Sequence, residues 1–312
     1  MERGMMFIKP NEHIIVMEDI LTPFSYDDIR MLEDAGMTLV YLSTSIFWDK
    51  IYHRHSDTLD WYSLDARIEK FLDSGLKIIL PFYHTMPTWF PDDWYIKKHE
   101  LLTHIIPNYA NEEYGRAVDT FAAQILDRYS NYKNRIQLTY AIPAGGEFFW
   151  DDTMTKNYPL SDEVLFQFIT NRQRALVTQH GEIWLYVHNF LGNPNNWNNT
   201  HLSFLYQHLT EQFPDNPLYS IQFAHFTTAG SPNHIEGQMK VKEYNEKYVV
   251  QFFVGSEYCE GLTTNFDAAI EQKVRGFFTA PMHLTHPLKH TSVQPWMVNA
   301  LRETNKKFEE LR

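Results

Sequence analysis

The sequence predicts an α/β protein of the (β/α)8 TIM-barrel class. Strand-like apolar runs alternate with amphipathic helical stretches along all 312 residues, which is the pattern of a parallel sheet with crossover helices. The alternation is read as eight βα units, the number that closes a barrel in a chain of this length. No G-x-G-x-x-G turn follows the first apolar run, which weakens the competing doubly wound open sheet.

The elements follow in order. His13–Met17 reads as strand one, and Tyr26–Ala35 as its helix, ended by Gly36. Thr38–Leu42 is strand two, and Trp61–Ser74 its helix, ended by Gly75. Lys77–Phe82 is strand three. A long loop leads to a helix over Asn111–Tyr129, whose apolar face is Val118, Phe121, Ala122, Ile125 and Leu126. Ile136–Ile142 is strand four, and Ser161–Gln179 its helix, with Ser161 and Glu163 as an N-terminal signal. Ile183–Val187 and the helix His201–Phe213 make unit five. Leu218–Phe223 and a weaker helix near Gly237–Glu246 make unit six. Val249–Val254 and Asn265–Lys273 make unit seven, and Gly276–Thr279 with Pro295–Leu311 closes the series. No linker, repeat or low-complexity tract interrupts it, so residues 1–312 are expected to be one domain. Asn193-Pro-Asn-Asn-Trp-Asn-Asn199 reads as the loop after strand five.

Composition bounds the function. Hydrophobic residues reach 44%, enough for a globular core. The formal charge of −12, from 27 basic and 39 acidic residues, argues against a general phosphate-binding surface, so no nucleic-acid partner is expected. Cys259 is the single cysteine, which excludes an internal disulfide and a cysteine-cluster zinc site. The start of the chain has no long apolar leader, and no run reaches the ~18 apolar residues of a membrane span. The expectation is a cytoplasmic protein without a membrane partner, or an excised or processed domain. Asn198-Asn199-Thr200 matches a glycosylation sequon, read here as incidental. Aromatics make up 15% of the chain, which suits either a sugar cleft or simply an aromatic core.

The candidate site comes from the strand ends, where a barrel keeps its chemistry. Strand one ends near Glu18 and Asp19, and strand two leads to Ser45 and Trp48. Strand three leads to His84, Pro87 and Trp89, and strand four to Glu147 and Trp150. Strand five ends at His188 and Asn189, and strand six carries Gln222 and His225. Strand seven leads to Glu257 and Tyr258, and strand eight to His283 and His286. Two segments stand out: Leu138-Thr-Tyr-Ala-Ile-Pro-Ala-Gly-Gly-Glu147-Phe-Phe-Trp150 and Tyr248-Val-Val-Gln-Phe-Phe-Val-Gly-Ser-Glu257-Tyr-Cys-Glu260-Gly261. Each is a strand, then small residues, then a carboxylate among aromatics. A carboxylate there is costly to desolvate without a purpose, and such a setting raises its pKa toward that of a general acid. Two of them suggest the acid and the nucleophile or base of a glycosidic-bond-cleaving site. Glu257 lies nearer its strand end than Glu260 and is preferred. Trp48, Trp89 and Trp150 are candidate sugar platforms, and His84, His188, Asn189, Gln222, His225, Tyr258 and His283 candidate substrate-binding groups. Each of these rings and histidines competes with plain core packing.

The segments Gly36-Met-Thr-Leu-Val-Tyr-Leu-Ser-Thr-Ser-Ile-Phe-Trp48, Leu59-Asp-Trp-Tyr-Ser-Leu-Asp65 and Gly75-Leu-Lys-Ile-Ile-Leu-Pro81 resemble clan A glycoside hydrolases, the β-galactosidase-like members above all. Asn111-Glu-Glu-Tyr through Tyr129 resembles the helix before their acid/base strand. The resemblance implies Glu147 as acid/base and Glu257 as nucleophile, no cofactor, and an oligosaccharide or polysaccharide substrate. Gly146 stands where the clan usually has an asparagine that contacts the sugar near its 2-hydroxyl. Pro143-Ala-Gly-Gly-Glu147 is also similar to a β-amylase segment, and those enzymes invert, so retention against inversion stays open. Two rival functions are a carbohydrate-binding barrel without catalysis and an amidohydrolase-type metal hydrolase using His188 and His225. The latter family's His-x-His on strand one and Asp on strand eight are missing, so no metal is expected.

Overall fold

The structure, a computed structural model, describes residues 12, 14–18, 23–42, 46–47, 59–83, 90–98, 105–141, 162–181, 183–187, 207–216, 218–222, 248–253, 276–279, 293 and 295–310. Its strands are β1 (Ile14–Glu18), β2 (Leu39–Leu42), β3 (Ile46–Phe47), β4 (Lys77–Tyr83), β5 (Tyr95–Lys98), β6 (Ile105–Pro107), β7 (Ile136–Ala141), β8 (Ile183–Val187), β9 (Leu218–Gln222), β10 (Tyr248–Phe253) and β11 (Gly276–Thr279). Its long helices are α1 (Tyr26–Asp34), α2 (Tyr62–Leu72), α3 (Glu112–Arg128), α4 (Asp162–His180) and α5 (Pro295–Glu310). Residues 207–212 are also helical. The predicted helices near Gly237–Glu246 and Asn265–Lys273 lie outside the described residues. No described helix is long and apolar enough to cross a membrane.

The sheet runs β2-β1-β11-β10-β9-β8-β7-β4-β3, and β2 also pairs with β4. That pairing closes β1, β2, β4, β7, β8, β9, β10 and β11 into an eight-stranded parallel ring, the (β/α)8 barrel. β3 is a short addition beside the carboxyl end of β4.

Side chains alternate across each strand, and the described burial separates two layers. Val16, Val40, Leu42, Ile78, Leu80, Phe82, Ile136 and Leu138 join the apolar cluster shared with the helices. The helices supply Ile29 and Leu32, then Leu64, Ile68 and Phe71, then Val118, Phe121 and Ile125, with Leu165 and Leu301 further round. The opposite parity faces the barrel axis. There Tyr41, Ile79 and Gln137 occupy one register row across β2, β4 and β7, and all three are fully buried. Thr139, also fully buried, pairs with Pro81 one row higher.

Polar ties fasten the helices to the ring. Ser25 and Asp28 form a reciprocal capping box at the start of α1. The other Asp28 oxygen accepts the Val293 N–H at 2.7 Å, which joins this helix end to the approach to α5. One Arg135 nitrogen donates to the carbonyls of Ser74 and Leu76, each at 2.7 Å, and closes the end of α2. At the amino ends of the strands, Lys77 pairs with Glu12 at 2.5 Å.

Some predicted details change. Gly36 does take a positive φ of 82° after α1. Gly75 does not. Its N–H meets Glu33 Oε1 at 2.5 Å, and an added Cβ would lie 3.0 Å from that oxygen, a tight contact that the Glu33 side chain would have to yield. The second described positive-φ glycine is Gly181, after α4. The segment expected as a plain loop after the third barrel strand contains a 3-10 turn at Asp92–Trp94 and the antiparallel hairpin β5–β6.

Candidate active site

All eight ring strands run the same way, so their carboxyl ends form a single rim. The candidate residues belong to the segments that leave it. Trp48 directly follows β3, His84 directly follows β4, and Trp89 directly precedes Phe90. Glu147 and Trp150 follow β7, His188 and Asn189 follow β8, and His225 follows β9. Glu257 and Tyr258 follow β10, and His283 follows β11. These eleven candidates, from Trp48 to His283, lie outside the described residues with Asp19, Ser45, Pro87, Glu260 and His286. Gln222 is in the described ladder as the last residue of β9. Its register partners are Val187 of β8 and Phe252 of β10, so it stands between the strand leading to His188 and the strand leading to Glu257.

The ring brings these departure points into a definite order. β4 and β7 are neighbours, so the His84 and Glu147 segments leave side by side. β7 and β10 are the fourth and seventh ring strands, separated by β8 and β9. Three steps around an eight-strand ring put the carboxyl ends of β7 and β10, which lead into the Glu147 and Glu257 segments, on facing sides of the ring. Beneath that mouth, β7 carries the buried polar pair Gln137 and Thr139 on the axis side.

Glu18 is a correction. It ends β1 as the strand-end reading expected, but it shares the parity of Val16 and turns to the helices. Its carboxylate is fully buried and accepts from Arg67 Nε, from Lys70 Nζ at 3.2 Å and from the Phe24 N–H at 3.0 Å. Arg67 also donates to the Glu18 carbonyl at 2.9 Å, and Lys70 to the Phe24 carbonyl. Two cations from α2 thus tie that helix to the rim end of β1. Glu18 is bound up in the frame of the site and is not a residue of the mouth.

Between β4 and α3 lies an aromatic block. Phe90 packs on Trp94 with ring centres 5.0 Å apart, and Trp94 meets Tyr114 at 6.1 Å. Tyr109 contacts Phe168 of α4 at 4.7 Å, and Tyr114 stacks on the same ring at 5.7 Å. The Tyr95 hydroxyl accepts the Phe90 N–H at 3.1 Å. Burial raises the Tyr95 pKa, the Asp92 charge adds to the rise, and the Phe90 hydrogen bond opposes it. The sequence reading missed this block. Its signal was the aromatic spacing Phe90, Trp94, Tyr95, Tyr109 and Tyr114 around Pro91-Asp92-Asp93. Among the described residues no cluster of three His, Cys, Asp or Glu is disposed to hold a metal.

No protein-family model matches the chain, and no curated protein matches it in sequence. Solved structures do match in fold. A psychrophilic glycoside hydrolase family 10 endo-β-1,4-xylanase superimposes with a TM-score of 0.58 at 10% identity, over 93% of this chain and 96% of the other. A glycoside hydrolase family 5 enzyme from Prevotella bryantii B14 gives 0.54 at 11% identity, over 95% and 96%. A broad-specificity endoglucanase from an uncultured bacterium gives 0.55 at 12%, over 91% and 85%. These three neighbours are glycoside hydrolases of families 5 and 10, and what this chain shares with them is the (β/α)8 barrel along nearly its whole length.

Proposed function

We propose that this chain is a single-domain glycoside hydrolase acting on an oligosaccharide or polysaccharide. The observation that carries the reading is the ring order: the two carboxylate segments leave the fourth and seventh strands of one closed parallel barrel. A scissile bond held over the mouth would have one carboxylate on either side, the arrangement that glycoside cleavage needs. The aromatic content of the rim segments and the activities of the structural neighbours, xylanase and endoglucanase, support a β-linked backbone as substrate.

In this reading Glu147 protonates the leaving glycosidic oxygen, with the Gly145-Gly146 and Phe148-Phe149-Trp150 flanks limiting its contact with water. Glu257 attacks the anomeric carbon and forms a glycosyl ester. Glu147, now a carboxylate, takes a proton from the water that hydrolyses it. If the two carboxyls stand ~6.5–9.5 Å apart rather than ~5–5.5 Å, Glu257 instead activates water directly and the product inverts. No cofactor enters either route.

The test is a screen of the full chain against defined β-linked polysaccharides and aryl glycosides, run beside Glu147→Gln. The wild type is expected to cleave at least one polymer, and the variant to lose roughly 100-fold or more in kcat. Binding of a polysaccharide without cleavage would convert the reading to a carbohydrate-binding barrel. Activity that is lost on chelation and restored by Zn²⁺ would move it to the histidine-based metal hydrolase.

A further inference from the structure

Gln137 is a buried polar side chain that the proposed chemistry does not use. It is fully buried on the axis side of β7, in one register row with Ile79 and Tyr41. Barrel layers are ordinarily filled by branched apolar side chains. The Gln137 amide nitrogen donates to the Leu138 carbonyl at 3.2 Å. That bond fixes the orientation of the amide. The reversed one would set Oε1 against a carbonyl oxygen, and neither atom can donate. Oε1 is therefore the free end, and among the described residues it is a buried acceptor with no hydrogen-bond partner. Folding strips such an atom of solvent and returns nothing for it. Native structures meet buried acceptors with a protein donor or with ordered water.

We propose that the barrel axis holds one enclosed water molecule, bound as a donor to Gln137 Oε1 and shared with Thr139. The occupant must donate, because Oε1 only accepts. Thr139 is fully buried on the same face of the same strand, two residues further toward the mouth. The strand rise puts the two positions about 6.6 Å apart, a gap that a glutamine amide and one water span together. A buried water takes about three hydrogen bonds. The Thr139 hydroxyl carries one proton and two lone pairs, so a bond it makes elsewhere leaves capacity for a second. The Tyr41 hydroxyl, on the same lining, has the same capacity. Space comes from the row above Gln137, where β4 and β7 contribute Pro81 and Thr139 in place of the usual larger branched residues. A cation fits poorly. These rows contain no carboxylate, and among the described residues no cluster of His, Cys, Asp or Glu is disposed to hold a metal. The inference goes beyond the hydrolase reading and stands whether or not the chain cleaves a glycoside.

Two measurements on the full chain test this, and the first needs no variant. A high-resolution crystal structure of the wild type is expected to show one fully occupied peak about 2.7–3.0 Å from Gln137 Oε1, within hydrogen-bond reach of the Thr139 hydroxyl. A clean map with no peak there means a dry, unsatisfied acceptor and overturns the proposal. A peak with six or more oxygen neighbours at about 2.3–2.6 Å is a cation and overturns it equally. In solution, oxygen-17 magnetic relaxation dispersion counts waters that stay enclosed long enough to tumble with the protein. Gln137→Leu removes the acceptor at nearly the same volume, and the count is expected to fall by one. Thr139→Val, which removes the second partner, should give the same loss and covers the case in which the first variant does not fold. A count unchanged in both variants overturns the enclosed water.

Discussion

Arg172 of α4 grips Asp119 of α3 fork to fork, Nε to Oδ1 at 2.5 Å and Nη2 to Oδ2 at 2.5 Å. The same guanidinium lies over the Phe168 ring at 4.4 Å and donates to the Phe168 carbonyl at 3.3 Å. Gly115 sits against it, where an added Cβ would come within 3.2 Å of Nη2. The clamp joins the helices on either side of β7, the strand that leads into the Glu147 segment. Arg172→Lys keeps the charge but loses the fork and the stacking. It should destabilise the protein by about 1–2 kcal/mol, less than a fully buried pair because Asp119 is 45% exposed. Urea unfolding measures this, and a loss under a few tenths would reduce the clamp to decoration.

Glu18 offers a larger effect. Glu18→Gln leaves Arg67 and Lys70 facing a neutral group in a site with no solvent on the Glu18 side. Removing one partner of such a buried pair costs about 3–5 kcal/mol. Equilibrium denaturation should therefore show a lower midpoint, and an undisturbed midpoint would mean that α2 is held to β1 by apolar packing alone.

Asp65 and Tyr129 make stability depend on pH in opposite directions. Burial pushes the Asp65 carboxyl up, but hydrogen bonds from Arg128 and from Tyr129 outweigh it and its pKa is lowered. A lowered carboxylate pKa stabilises the fold above the unfolded value of ~3.9 and loses that contribution as pH falls through the folded one. Tyr129 is raised, by burial first and then by Asp65. Its contribution is complete below the unfolded value of ~10 and is lost as pH rises beyond it. The stability difference between wild type and Asp65→Asn should be full at pH 7 and shrink below pH 4. A difference that stays constant down to pH 2 would contradict the assignment.

For the chemistry, Glu257→Ala is expected to abolish turnover of an activated aryl glycoside. Added azide should restore it with a glycosyl azide of inverted configuration, if the enzyme retains. A fluorosugar should label Glu257 in the wild type. Peptide mapping that finds the label on Glu260 would reassign the nucleophile, and an inverted first product by NMR would make Glu257 a base.

Much of the fold was legible because a parallel barrel writes itself locally. Residues 78–82 and 136–139 are buried on both faces, so apart from Gln137 they read as apolar or small-residue runs. The α3 stripe of Val118, Phe121, Ala122 and Ile125 is buried as its 3.6-residue period requires. The hairpin β5–β6 was not legible, because Tyr95-Ile-Lys-Lys98 lacks a two-residue turn signal before its partner strand. The two residues of β3 are too few to show a period. Glu18 could have been read from its parity with Val16, but its partners lie 49 and 52 residues away on α2, and sequence spacing does not reveal them.

The sequence by itself determined the strand–helix alternation, the helix caps at Ser25 and Asn111, and the apolar faces, since propensity, periodicity and capping act over a few residues. It also determined which chemical groups follow each strand. Tertiary structure decided what depends on closure. Pairing of β2 with β4 and of β1 with β11 turned a series of strands into a ring and set three steps between β7 and β10. It sent Glu18 outward to Arg67 and kept Gln137 on the axis. It also gathered Phe90, Trp94, Tyr109, Tyr114 and Phe168 into one block. Contacts of that range are fixed by how layers pack, and packing is a property of the whole chain.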